Sequence, residues 1–99
     1  MSKTEFTPGP WTTRRNAEID KIINIHDRRN DPIANVASGF VWMPREEGEA
    51  NANLISAAPD MHKALSEILT AVALIDAPLD KNILTIITLC ERAIVKAGG

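Results

Sequence analysis

Glu49-Ala-Asn-Ala-Asn-Leu-Ile-Ser-Ala-Ala-Pro-Asp60 is the stretch on which the fold turns. Ala50, Leu54, Ala57 and Ala58 recur at helical spacing, whereas the residues before Pro44 alternate with a period of two. Pro59 has no N–H and pushes Ala58 out of the helical region, so a first helix ends near Ala57. Pro59 and Asp60 then open a second helix, since proline is tolerated in a first turn. Met61, Leu65, Ile68, Leu69 and Val72 form its apolar stripe. Asp76 to Asp80 reads as a loop. Asp80 is a good N-cap for a last helix over Lys81 to Lys96, which stops at Gly98-Gly99.

Upstream, the sequence reads as strands. Thr7-Pro-Gly-Pro cannot be helix interior, and Trp11 begins the first ordered element. Within Glu18 to Ile25, Ile19, Ile23 and Ile25 fall on one side of a strand, with Asp20, Ile22 and Asn24 on the other. Asp27 to Pro32 collects turn formers, which predicts a hairpin. Pro32 to Ala37 is the returning strand, Ser38-Gly39 a break, and Phe40 to Met43 a further short strand closed by Pro44. Arg45 to Glu49 reads as a polar connector. The expected fold is therefore α+β: an N-terminal antiparallel sheet of three to four strands packed against two to three C-terminal helices. The 99 residues form one domain, with an extended arm over 1–10, a β-meander over 11–44 and a helical part over 48–97.

Composition narrows the function classes. Hydrophobic content of 44% with 24% charged residues is that of a globular chain and not of a disordered one. The net charge of −2 is unevenly spread: residues 1–45 carry seven Lys/Arg against five Asp/Glu, and residues 46–99 carry four against eight. That balance argues against general nucleic-acid binding, which shows a basic stripe and a high pI. The apolar run Ile83 to Ile94 is interrupted by Thr85, Thr88, Glu91 and Arg92 and is too short to span a bilayer. No signal-peptide h-region precedes it, so residence in the cytoplasm is expected. Cys90 stands alone in an apolar helical pattern, where it reads as a small core residue. With one Cys, no Tyr, and His26 and His62 in different elements, no catalytic set and no metal site is expected, and no cofactor.

Three elements together resemble a known group: Gly9-Pro-Trp11, Ile33-Ala-Asn-Val36 and the quoted Glu49 to Asp60 run. They are similar to a family of short proteins encoded by phages and prophages, and the likeness spans roughly residues 6–69. Most members of that group have no assigned activity. What the resemblance implies is a small accessory protein acting on or against the host, in the host cytoplasm.

The residues suited to binding have two readings each. Arg14, Arg15, Arg28, Arg29 and Arg45 stand near strand ends; they are either solvated turn residues or grips for phosphate, which the planar guanidinium suits. Trp42, like Trp11, is either core or a stacking platform. Asn51 and Asn53 either cap the helix or present an amide to an anion held at its N-terminus. The first functional expectation is a counter-defence protein that sequesters a nucleotide second messenger, in a pocket between subunits. Some phage proteins that do so share the plan of N-terminal sheet and C-terminal helices, but their binding residues do not carry over to this chain. The second is a direct inhibitor of a host defence protein, offering Glu46, Glu47, Glu49, Asp76 and Asp80 to a basic surface. The third is a structural or regulatory prophage protein whose alanines only serve helix packing. The apolar arc of the last helix, broad enough for burial on two sides, predicts a homo-oligomer.

Overall fold

The computed structural model describes residues 5–75 and 80–98. Its elements run β1 (Thr12–Arg15), β2 (Ile22–His26), β3 (Pro32–Ala37), α1 (Arg45–Ser56), α2 (Ala58–Ala73) and α3 (Lys81–Lys96). The fold is α+β, with one three-stranded antiparallel sheet in the order β1-β2-β3. The chain divides into two compact units, residues 1–60 and 61–99.

In the first unit the sheet forms because alternate positions of β2 are apolar. Ile23 and Ile25 point to one face, where they meet Val36 of β3 and Ala52 of α1 to make the core. Trp11, Ile33 and Ala34 close its rim. Thr13 pairs with Ile25 and Arg15 with Ile23, so Arg15 lies on the α1 side of the sheet. The other face carries a polar row. Arg14, Asn24 and Asn35 are in register across the three strands. Asn16 Nδ2 donates to Asn24 Oδ1 (2.9 Å), and Asn24 Nδ2 to Asn35 Oδ1 (2.7 Å).

Two expected elements differ. Phe40 to Met43 is not a strand but a tight turn, with a single bridge between its ends. The Gly39 N–H bonds to the Met43 carbonyl (2.9 Å) and the Met43 N–H to that of Phe40 (3.0 Å). Gly39 has φ +112°, a conformation open to glycine, which turns the chain there. Arg45 to Glu49 is not a connector but the first turn of α1. Glu49 meets Arg15 of β1 and Arg45 meets Asp20 of the β1–β2 turn, which fixes the turn despite its composition. The hairpin strand is also shorter than expected: Glu18 to Lys21 belong to the β1–β2 turn, and Ile19 is exposed there.

Asp27 organises the β2–β3 turn. Its carboxylate Oδ1 accepts the backbone N–H of Arg29 and of Asp31, each at 2.9 Å. The Asp31 N–H holds the acid below its ordinary value of 3.8; burial opposes this, and the Arg29 N–H and guanidinium add to it. A carboxyl depressed in the folded state stabilises the fold above its unfolded value and ceases to do so as pH falls through its folded one. Asp27→Asn should therefore be less stable than the parent at pH 7, and the gap should narrow towards pH 2. Urea unfolding at both pH values measures it; an unchanged gap would remove the charge from the account.

Helix boundaries follow the prolines. α1 ends at Ser56, Pro59 lies buried in the first turn of α2, and Gly9 sits so close that a Cβ on it would come within 2.7 Å of Pro59 Cβ. In the second unit Leu65, Leu69 and Val72 of α2 are half-buried, as are Ile83, Ile87 and Ile94 of α3, with Cys90 buried. Asp80 caps α3 as expected, its Oδ1 accepting from the Ile83 N–H at 2.9 Å. The rest of the loop expected at Asp76 to Asp80 lies outside the described residues. No helix among the described residues is long and apolar enough to cross a membrane.

Candidate functional site

Of the five arginines suited to gripping phosphate, three are engaged by carboxylates of the chain itself. Arg15, at the end of β1, donates from Nη2 to Ser38 Oγ (3.0 Å) and to Glu49 Oε1 (3.0 Å). Its Nη1 reaches the carbonyls of Asp20 and Ser38. Arg45, at the start of α1, pairs with the same Glu49 Oε1 (3.4 Å) and with Asp20 Oδ2 (3.3 Å). Arg15 and Arg45 thus converge, but on Glu49. The corner between strand end and helix N-terminus, where an anion is favoured, holds the protein's own carboxylate.

Ser38 is the pin of this corner. It is fully buried, accepts from Arg15, and donates its hydroxyl to the Arg45 carbonyl at 2.8 Å. Sequence reading passed over Ser38 as part of a break. The signal was its place before Gly39, where a small polar residue can fold into a turn without a clash.

Arg14 points to the other face and donates to Asn30 Oδ1 (3.3 Å). Arg28 and Arg29 stand on the β2–β3 turn, where Arg29 pairs with Asp27 (3.4 Å) and Asp31 (3.5 Å). Together with Thr7, Pro8, Gly9 and Asp27, these two arginines line an open cleft of about 280 Å³. Arg14 and Arg15 line a separate one with Asn16, Ala17, Glu18 and Asn24. Asn51 is half-buried and directs its amide at Met43 Sδ (3.6 Å), so it ties α1 to the turn before it. Asn53 is exposed, and its carbonyl accepts from Ser56 and Ala57.

The two tryptophans part company. Trp11 is half-buried against the core and donates Nε1 to the Thr7 carbonyl (3.1 Å). Trp42 is 69% exposed, and Val41 beside it stands wholly in solvent. These two form the tip of the Gly39 to Met43 turn. Phe40 stacks under Trp42 with ring centroids 4.9 Å apart, and Lys21 Nζ lies 5.5 Å over Phe40. The backbone bonds, the stack and the Asn51 contact fix the tip, so two large apolar side chains are presented on a preorganised support.

Among the acidic residues weighed for a basic partner, Glu49 is turned to Arg15 and Arg45 and Asp80 caps α3. Glu46 and Glu47 are exposed in the first turn of α1. Asp76 lies outside the described residues. No three metal-binding side chains come together among those described.

A family model described as Salmonella phage P22 protein Y8K6 matches residues 1–99. No curated protein and no solved structure matches the chain.

Proposed function

The chain belongs to the family of Salmonella phage P22 protein Y8K6, and from that premise we propose that it acts without catalysis, by docking on a host protein through the Val41–Trp42 tip. The observation that carries this reading is the exposure of both side chains on a turn held by its own stack and hydrogen bonds. Tryptophan is enriched among residues that dominate binding energy, because it brings a large apolar surface at small entropic cost. A component of host defence is the partner class that fits a phage accessory protein. The committed arginines speak against a phosphate grip at the Arg15–Arg45 corner, since a ligand there would first have to displace Glu49.

A nucleotide-sequestering role is favoured by one feature, the Arg28–Arg29 cleft. At about 280 Å³ it falls just under the usual range of small-molecule pockets. The two readings separate cleanly. A photo-crosslinking residue at position 41 should give one defined host-protein adduct in infected cells, lost on Trp42→Ala and kept on Arg28→Ala with Arg29→Ala. Removing a central aromatic anchor weakens binding by about thirtyfold or more, while Trp42→Ala should cost the fold less than about 1.5 kcal/mol, the worth of its stack. Native mass spectrometry with cyclic oligonucleotides and ADP-ribose derivatives supplies the other arm. A discrete ligand mass, abolished by the Arg28 and Arg29 changes, would overturn the docking reading.

A further inference from the structure

The polar row on the outer face of the sheet has hydrogen bonds that all run one way. Asn16 Oδ1 accepts the backbone N–H of Glu18 and of Ile19, each at 2.8 Å, so the oxygen of that amide is fixed. Its Nδ2 then faces Asn24, which answers with Oδ1, and Asn24 Nδ2 in turn donates to Asn35 Oδ1. One backbone turn thus orients three side-chain amides in series. Every amide oxygen in the row is taken, whereas among the described residues Asn16 and Asn24 each keep a second N–H without an acceptor.

Arg14 stands in register with Asn24 on this face, and Asn16 follows two residues along the chain. Arg15, Arg29 and Arg45 each meet a carboxylate. Among the described residues Arg14 meets only the neutral amide of Asn30, through one of the five N–H groups of a guanidinium. Arg14, Asn16 and Asn24 line a cleft of about 560 Å³, within the usual range of small-molecule pockets, with the exposed Glu18 in its wall. Arg15 lines it too, but its guanidinium is spent on Ser38 and Glu49. Side-chain donors therefore stand open and side-chain acceptors closed, apart from the Glu18 carboxylate. The complement is a ligand that brings acceptors and a negative charge. The guanidinium fork offers two parallel N–H groups and the two amides one each, which matches the roughly four lone-pair sites of a carboxylate. A phosphate dianion would set a second charge against Glu18 with no further donors to receive it.

We propose that this cleft binds the carboxylate of a small organic acid, gripped by Arg14 and seated on the Asn16 and Asn24 amides, with Glu18 selecting against dianions. The site stands apart from the Val41–Trp42 tip and from the Arg28–Arg29 cleft, and Trp42→Ala leaves it unchanged. Heteronuclear NMR of the full chain, titrated with sodium acetate at constant ionic strength, reads it directly. The side-chain amide signals of Asn16 and Asn24 and the Arg14 Nε–H signal should move together on one saturable curve. The dissociation constant should be on the order of 1 mM for so small a probe. Arg14→Gln, at an exposed position, should weaken acetate binding about tenfold or more, as loss of a charge-assisted fork does. Glu18→Gln removes a like charge and should tighten it about threefold. Absence of a saturable shift, or shifts as large at Arg28 as at Arg14, overturns the proposal. So does inorganic phosphate that binds more tightly than acetate. Should Arg14→Gln fail to fold, Glu18→Gln decides alone: a variant that binds acetate no better than the parent also overturns it.

Discussion

Gly48→Ala should destabilise the first unit by about 3 kcal/mol, the upper part of the usual cost of overpacking. Helix propensity alone predicts the opposite sign. Gly48 lies inside α1, and alanine in a helix interior is worth about 1 kcal/mol more than glycine. The packing decides against propensity. Gly48 is buried, and a Cβ there would overlap the Ala37 carbonyl oxygen and both Cα and Cβ of Ser38. These are backbone and near-backbone atoms that cannot swing aside as the far end of a lysine would. α1 would have to lift from the sheet and draw Arg45 and Glu49 away from Arg15 and Ser38. Urea unfolding of Gly48→Ala measures the effect; a variant as stable as the parent would show that the helix and the β3 end have room to part.

Ile25→Ala is expected to cost about 2–5 kcal/mol, the range for truncating a buried aliphatic side chain. The upper half applies here. Among the described residues Ile25 is the largest side chain with no exposure, and the described core around it holds only Ile23, Val36 and Ala52, rimmed by Trp11, Ile33 and Ala34. So few neighbours, fixed on a short sheet and one helix, cannot close over the cavity. Since small domains rest on a margin of about 5–15 kcal/mol, one such change removes a large part of it. Thermal unfolding reads the loss. Ile19→Ala makes the comparison: that side chain is 51% exposed on the β1–β2 turn, and its truncation should shift stability by no more than about 0.5 kcal/mol.

The larger features of the fold were legible because they rest on residues that leave the backbone few choices. Pro59 set the α1–α2 break, Asp80 the start of α3, and Asp27 to Pro32 the second hairpin. Periodicity found Ile23 and Ile25. It failed at Phe40 to Met43, where four apolar residues suggested a strand. After Gly39 at φ +112° the run folds on itself, its ends tied by the Gly39 to Met43 and Met43 to Phe40 backbone bonds, where it would otherwise have paired with the sheet. It failed again at Arg45 to Glu49, where polar composition suggested a loop. The helix begins there because Arg45 and Glu49 meet Asp20 and Arg15, partners 25 and 34 residues away in the chain. Spacing cannot show such contacts. For the same reason the arginines were recognised as residues able to hold an anion, but not that Glu49 would be the anion held. The exposure of Trp42 and the burial of Trp11 could not be told apart from residue type.

The sheet has two edge strands, and both are built to refuse another strand. β1 is four residues long and ends in Arg14 and Arg15. β3 opens on Pro32, which has no N–H to offer, and its pairing with β2 is irregular between Ile25 and His26. Short, charged, proline-led or bulged edges are the features that stop sheets from growing by edge-to-edge addition. An open three-stranded sheet can therefore persist at high concentration without seeding a fibre. Edges of this kind leave the backbone, whose ladder has no natural end, poorly suited to recruit another strand.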